Sequence, residues 1–260
     1  MNVRPYIGIT DFLSHDQVLC MLEVFRRYRQ VGSRRMLHVG VMMSYKTLNG
    51  VASSGDTAFP PKECIADIFD ECSVADDLFY CLHYVDHTHS TTASDVARAI
   101  GYAGPWVNAL QLDMTWPDPD MIAAAVFASL PQPELILQIG RHAMVRADHD
   151  PRMVVQRLKR YEGLVSRVLL DMSMGEGRAM HAGELFTLSL AILEVYPHLG
   201  IGVAGGLGPN TMYLVAPLAR MIHGLSIDAQ SRLRPSGDAH DPIDWQLAAE
   251  YLRLALALLP

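Results

Sequence analysis

The chain has 260 residues, half of them hydrophobic, with a formal net charge of −7 from 21 basic and 28 acidic residues. This length and apolar content suit one domain with a large core, so we treat residues 1–260 as a single unit. The acidic balance argues against a nucleic-acid partner. No apolar stretch approaches the roughly 20 residues that span a bilayer, so we expect no membrane partner.

The cysteines also limit the class of protein. Cys20, Cys64, Cys72 and Cys81 include no Cys-x-x-Cys pair. This spacing is unlike that of zinc ribbons and disulfide scaffolds, so we expect free thiols and a cytoplasmic location. The first residues lead directly into a strand pattern without the features of a signal peptide, which agrees with that location.

Strand-like and helix-like patterns alternate along the whole chain. The predicted strands are Tyr6–Ile9, Met36–Met42, Leu78–Val85, Val107–Leu112, Leu135–Ile139, Arg167–Leu170, Gly200–Ala204 and Ile222–Ile227. A helical pattern follows each strand, as in a parallel α/β fold. Eight such units at this length predict a (β/α)8 TIM barrel in a single domain.

Helix-start signals support this assignment. Ser14 and Gln17 form a capping-box pattern, and Asp150-Pro151 and Asp241-Pro242 are each expected to open a helix. A doubly wound open sheet is the alternative, and it would place a glycine-rich phosphate loop after the first strand. Here Gly8-Ile-Thr-Asp11 stands there instead, and the glycines cluster late, which favours the barrel.

Small residues follow the last two predicted strands. One segment reads Gly200-Ile-Gly-Val-Ala-Gly-Gly-Leu-Gly-Pro209, and the other reads Gly224-Leu-Ser-Ile-Asp-Ala-Gln-Ser-Arg232. Loops after strands seven and eight of TIM barrels often bind phosphate, because glycine lets backbone N–H groups approach an anion. We therefore expect a phosphorylated small molecule as substrate.

Chemistry in such barrels lies at the carboxyl ends of the strands. Polar or glycine positions there are Thr10, Asp11, Ser44, Lys46, Asp86, His87, His89, Asp113, Arg141, His142, Asp171, Gly205, Gly206, Asp228 and Arg232. Polar loops and helix starts explain some of them without any function. Asp113, Asp171 and Asp228 each end an apolar run directly, which favours a place in the site. Lys46 and Arg141 are candidate anion-binding groups.

Asp171 is the strongest catalytic candidate, because it ends Val168-Leu-Leu170 and precedes a glycine-rich segment. A partly desolvated carboxyl group there has a raised pKa and serves as a general acid. An ionised residue that caps the next turn is the alternative.

A metal site is a further alternative, through His87 or His89 with Asp113 or Asp171. His83 lies four residues before His87, about 13 Å deeper along an extended strand, so one metal is not expected to bind both. Our prediction contains no metal and no cofactor.

Four stretches of the chain resemble phosphoribosylanthranilate isomerase, a TIM-barrel family of tryptophan biosynthesis. They correspond to its first strand, its fourth strand, the strand and loop of its catalytic aspartate, and its closing segment. In that order they are Tyr6–Thr10, Ala109–Asp113, Leu169–Gly177, and Val203–Leu207 with Gly224–Pro242. The resemblance implies an Amadori rearrangement of a phosphorylated aminoaldose. An aspartate protonates the ring oxygen, a cysteine removes the C2 proton, and the last two loops hold phosphate.

Carried over by position, the resemblance makes Asp171 the acid. The phosphate contacts that it implies are Gly205, Gly206, Ala229 and Gln230. The family's cysteine falls on Ile7, which cannot take a proton, so we expect Asp113 or Asp11 to replace it as base. With Asp228, Arg232, Lys46 and Arg141 added to the phosphate side, the prediction is an isomerase acting by proton transfer on a phosphorylated sugar-like molecule.

Two alternatives stay open at this point. One is a metal-dependent sugar-phosphate epimerase or aldolase on the same barrel. The other is a barrel without catalysis that binds a phosphorylated ligand. Pairing of the chain into a homodimer is also left open.

Overall fold

The computed structural model describes residues 3–51, 58–70, 76–172, 182–238 and 241–259. Eight parallel strands close into one barrel in chain order, and the last strand pairs with the first. The strands are β1 (Tyr6–Thr10), β2 (Met36–Ser44), β3 (Leu78–Val85), β4 (Ala109–Asp113), β5 (Glu134–Gly140), β6 (Arg167–Asp171), β7 (Gly200–Ala204) and β8 (Ser226–Ala229). The predicted (β/α)8 TIM barrel is therefore confirmed.

Helices connect the strands on the outside. They are α1 (His15–Tyr28), α2 (Tyr45–Leu48), α3 (Ile65–Ile68), α4 (Ala93–Ala103), α5 (Pro119–Phe127), α6 (Arg141–Val145), α7 (Pro151–Leu158), α8 (Ala182–Val195), α9 (Ala216–Met221) and α10 (Trp245–Leu258). Short 3-10 helices cover Lys62–Cys64, Lys159–Tyr161, Pro209–Leu214 and Ser231–Leu233. The described helices include none that is long and apolar enough to cross a membrane.

Local signals explain most of the helix starts. The capping box of Ser14 and Gln17 is formed, and Asp150 caps α7 with Pro151 in the first turn. Two expectations were wrong. The last helix begins at Trp245 with Asp244 as its cap, after Asp241-Pro242. The eighth strand begins at Ser226, because α9 ends only at Met221 and Gly224, with a φ of 72°, turns the chain before the strand.

Two apolar layers meet at the barrel wall. Tyr6 packs inside the barrel with Phe79, Cys81 and Leu169, whereas Ile7 and Ile9 pack in the larger layer between strands and helices. Alternation along a strand causes this separation. Ile7, the position matched to the family's cysteine, therefore lies behind the barrel wall, where no residue type could act on a ligand in the barrel mouth.

Polar side chains replace apolar ones in the upper part of the barrel interior. Those buried there are Thr10, His38, His83, Gln111, Gln138 and Asp228. They come from six of the eight strands, and His38, third of the nine residues of β2, lies deepest. Because burying polar groups costs free energy unless they are paired, such a cluster indicates a site and not a packing core.

Candidate functional site

A small cavity of about 30 Å³ lies where these carboxyl ends converge. Its lining residues are His83, Gln111, Gln138, Leu169, Asp171, Ala204–Leu207 and Asp228–Ser231. This volume holds only a few waters. A sugar-sized ligand therefore has to lie mainly in the mouth above, with only its reacting atoms near the cavity.

Asp171 ends β6 in register with Gly140 and is half-buried in the cavity wall. Its Oδ2 accepts a long hydrogen bond of 3.5 Å from Nε2 of Gln138 on β5. The glycine-rich stretch predicted to follow it, Gly175–Gly177, lies outside the described residues. The placement of Asp171 at the cavity is the arrangement that a general acid needs.

Asp113 lies at the end of β4 beside two histidines of the neighbouring segment. Its Oδ2 is 3.7 Å from Nε2 of His83 and 3.9 Å from Nε2 of His87. The expected separation in depth applies to an extended strand, but β3 ends at Val85, between the two histidines, and both lie within 4 Å of the same Asp113 oxygen. Burial opposes protonation of His83, but the neighbouring Asp113 carboxylate and the charge of Asp228 raise its pKa above the ordinary value.

Asp11, the other candidate base, is engaged on both oxygens. Oδ2 forms a buried ion pair with Arg234, and Oδ1 accepts a 3.0 Å hydrogen bond from Nε2 of Gln230. Burial raises the pKa of Asp11, and Arg234 opposes that rise. A carboxylate held on both oxygens by protein groups is poorly placed to accept a proton from a ligand.

Asp228 lies buried beneath the cavity. Thr10 Oγ1 donates to its Oδ2 at 2.9 Å, and its Oδ1 lies 3.9 Å from Nδ1 of His38. Burial raises the pKa of Asp228 to about 7, whereas burial lowers the pKa of His38 to about 3. A carboxyl group that titrates near neutrality suits proton exchange better than contact with phosphate, because two anions repel.

The turn after β7 carries the predicted phosphate-binding glycines. Gly205 and Gly206 have φ angles of 115° and 62°, a region open chiefly to glycine. Thr211 fixes this turn through its hydroxyl group. Its Oγ1 accepts a hydrogen bond from the Gly208 N–H at 2.9 Å and donates one to the Gly206 carbonyl at 2.7 Å. The turn therefore keeps one shape before any ligand arrives.

The turn after β8 lies against the turn after β7. A Cβ atom on Gly208 would come within 2.8 Å of the carbonyl oxygen of Arg232, so the two segments touch. In the described chain, the backbone N–H groups of Gly206, Leu207 and Ser231 donate no hydrogen bond to the protein. Buried N–H groups need a partner, so an anion or water is the expected acceptor.

The remaining predicted cations lie elsewhere. Lys46 on α2, Arg141 at the start of α6, and Arg232 are exposed, and none of them lines the cavity. Ala229 and Gln230 do line it, although the Gln230 amide also holds Asp11. Among the described residues, no group of three His, Cys, Asp or Glu side chains is placed to hold a metal ion.

Several site residues escaped the sequence reading. Gln111 and Gln138 are single amides inside apolar strands, and their neighbours along the chain give no sign of a shared cavity. Arg234 meets Asp11 across 223 positions, a contact that no local pattern encodes. His83 carried a detectable signal, since an ionisable residue in an apolar strand whose alternation points inward is unusual.

Comparison with known proteins supports the fold. No protein-family model matches the sequence, and a search of curated proteins finds no match. Orotidine 5′-monophosphate decarboxylase from Methanocaldococcus jannaschii, solved with the inhibitor BMP, is 10% identical, with 99% of each chain covered and a TM-score of 0.56. A Rubisco-like protein from Rhodopseudomonas palustris is 14% identical with a TM-score of 0.55, and the match covers 98% of this chain and 63% of that one. At these identities the likeness shows that the chain has the TIM-barrel fold.

Proposed function

We propose that this chain is an enzyme that isomerises a phosphorylated, sugar-like small molecule by proton transfer. One observation carries the proposal. Asp171 and the amide-rich turns after β7 and β8 line the same cavity, so an acid and an anion-binding surface face one ligand. The Methanocaldococcus neighbour, whose name gives it a 5′-monophosphate substrate, shows that this fold accommodates such ligands.

The roles follow from the geometry. The phosphate binds the N–H groups of Gly206, Leu207 and Ser231, which compensate its charge, since Lys46, Arg141 and Arg232 do not line the cavity. Asp171 gives a proton to the ring oxygen, the bond from that oxygen to the anomeric carbon breaks, and loss of the proton on the anomeric O–H or N–H group to solvent leaves a carbonyl or imine. Asp113, at the mouth on β4, removes the proton from the adjacent carbon. Ring opening and proton removal from carbon are the two steps of an aldose–ketose type rearrangement.

Turnover of a substrate panel tests the catalytic part. The panel contains N-(5′-phosphoribosyl)anthranilate, other phosphorylated aminoaldoses, and their unphosphorylated counterparts. We expect turnover only of phosphorylated members, and a fall in kcat of about 100-fold or more in Asp171→Asn. Full turnover by Asp171→Asn would remove the acid role. Binding without turnover across the panel would instead support a non-catalytic phosphate-binding barrel.

Phosphate affinity tests the anion site separately. In a ³¹P NMR titration with ribose 5-phosphate, Thr211→Val should weaken binding by about threefold to tenfold, because the hydroxyl's hydrogen bonds to the Gly208 N–H and the Gly206 carbonyl, which shape the turn, are lost. Thr187→Val is the matched control, since Thr187 is at an exposed position of α8 and its Oγ1 donates to the Gly183 carbonyl one turn earlier. Equal affinities in both variants would place the phosphate elsewhere.

A further inference from the structure

His83 is a buried ionisable residue to which the proposed function gives no task. It lies three residues from the end of β3, lines the cavity, and has a side chain only 8% exposed. Met42 on β2 and Gln111 on β4 are its register partners. Its position brings an imidazole to the same cavity as Asp171, although the two residues are three strands apart.

Charged groups from three strands act on His83. Asp113 on β4 is its contact at 3.7 Å, while Asp228 on β8 and Asp11 on β1 act through space. The other titratable groups that face the ring are His38 on β2 and Asp171 on β6. His38 is neutral because burial lowers its pKa to about 3. Negative charge therefore predominates around the ring, and the cation is the form that this environment stabilises.

A chain of side-chain amides connects His83 with Asp171. Gln111 Nε2 lies 3.3 Å from both ring nitrogens of His83 and donates to Gln138 Oε1 at 2.8 Å. Gln138 Nε2 then donates to Asp171 Oδ2. One polar side chain from each of β3, β4, β5 and β6 thus forms a continuous path across the barrel.

The direction of the amides depends on the protonation of His83. A neutral ring can accept from Gln111 Nε2, but a protonated ring has only donors and needs the Gln111 oxygen instead. That oxygen, Oε1, is buried and has no partner among the described residues. Reversal of the Gln111 amide would pair this oxygen with the ring. Gln138 would then have to reverse as well, and its Oε1 would accept a hydrogen bond from protonated Asp171.

We propose that His83 is a proton-transfer residue of this site, paired with Asp113 and connected to Asp171 through Gln111 and Gln138. This inference rests on the proposed function. It supplies the group that exchanges protons with the substrate oxygen or nitrogen while Asp113 exchanges them with carbon. Asp113 takes the proton from carbon, the C–H electron pair forms a C=C bond, and the π pair of the adjacent C=O or C=N bond takes a proton from His83. In the second half, the proton of the neighbouring hydroxyl group goes to His83 and the proton on Asp113 goes to the former carbonyl carbon. Both groups then return to their starting states.

The pairing is testable without any substrate. In protein labelled with ¹⁵N-histidine, the signal absent from His83→Asn identifies His83. We expect it to titrate above the ordinary histidine pKa of about 6.5, and Asp113→Asn should lower that pKa. His87→Asn is the matched control, because His87 approaches the same oxygen but has a side chain 49% exposed. Titration of His83 at or below the ordinary value, or no change in Asp113→Asn, would overturn the pairing.

The amide path has its own test. Asp171→Asn should change the His83 titration in the wild-type background, and the change should shrink when Gln138→Met interrupts the path. A change of equal size in both backgrounds would show that Asp171 acts on His83 only through space, against the proposed connection. Circular dichroism of each variant confirms that the barrel is intact.

Activity separates this inference from the proposed function. His83→Asn should lower kcat by about 100-fold or more. His198→Asn, at an exposed position just before β7 on the opposite rim of the barrel, should stay within about twofold of the wild type. If the wild type turns over a substrate and His83→Asn turns it over equally fast, the role of His83 would be overturned and the proposed function would stand. Absence of turnover by wild type would overturn the proposed function and the catalytic role of His83, and the titrations would still decide whether the pairing exists.

Discussion

Gly8 shows how one residue makes room for the polar interior. A Cβ atom at this position would lie 2.4 Å from Oδ1 of Asp228 and 3.0 Å from Nδ1 of His38. Gly40 does the same for Thr10, whose Oγ1 would be 2.5 Å away. The two glycines therefore leave the volume that the Asp228 and Thr10 side chains occupy.

Gly8→Ala should destabilise the protein by about 1–3 kcal/mol, because the strand backbone and the buried Asp228 have little freedom to yield. Gly101→Ala is the matched control. Gly101 lies within α4 with no atom near its added Cβ, so alanine there should be neutral or stabilising. Urea unfolding measures both. Equal effects would mean that the crowding around Gly8 is relieved by a small backbone shift.

Asp228 should make stability depend on pH. Its pKa rises from 3.8 to about 7 on folding, chiefly through burial, so the folded state prefers the protonated carboxyl. The stabilisation that the protonated Asp228 gives to the folded state is fully present below about pH 4 and is lost as the pH rises through 7. At 1.36 kcal/mol per pKa unit, the free energy of unfolding falls by up to about 4 kcal/mol.

Asp228→Asn should therefore be more stable than wild type at pH 8, with a much smaller difference at pH 4. Urea unfolding at the two pH values checks this. A pH-independent difference between the proteins would show that Asp228 keeps an ordinary pKa in the folded state.

At the scale of elements, Asp11 and Arg234 join the end of β1 to the segment that follows β8. Both side chains are at most 2% exposed, and Arg234 also donates to the carbonyl of Gln230 at 3.0 Å. The pair therefore fixes the turn that presents Ser231 and Gln230 to the cavity. This structural task explains why Asp11, although it stands at a strand end, is a poor base.

Removal of one partner should cost about 3–5 kcal/mol, since the other charge is left buried and unpaired. We expect Asp11→Asn and Arg234→Met each to lose stability in urea unfolding, and the double variant to lose less than the two losses combined. Arg152→Met is the control, because the Arg152–Asp150 pair is on the surface, where solvent screens it, and its loss should change stability little. Strict additivity in the double variant would show that the two residues do not act as a pair.

The elements themselves were largely predictable. Nearly continuous apolar runs predicted the first seven strands to within about two residues at each end, because parallel strands of a barrel are buried on both faces. The eighth strand was extended too far back, since Ile222 and Leu225 are equally apolar but belong to the turn after α9. Hydrophobicity alone does not separate a buried turn from a buried strand.

At the scale of the whole molecule, the site was predictable only in part. Asp171 and the glycines after β7 stand at strand ends, and a barrel brings every strand end to one rim. The pairing of His83 with Asp113, the path through Gln111 and Gln138, and the tie between Asp11 and Arg234 depend on side-chain directions and on contacts between distant segments. The sequence pattern contains no information of that kind.

The barrel closes unequally around its circumference. β8 pairs with β7 only at Gly202–Ser226 and Val203–Ile227, whereas at β1 the ladder is supplemented by the Thr10–Asp228 bond and the Asp11–Arg234 pair. Local opening should therefore begin between β7 and β8. The two turns with free backbone N–H groups, after β7 and after β8, lie on either side of this seam. A ligand that both turns bind would hold it closed, so sugar phosphates should slow hydrogen exchange of the β7 and β8 amides more than that of any other strand pair.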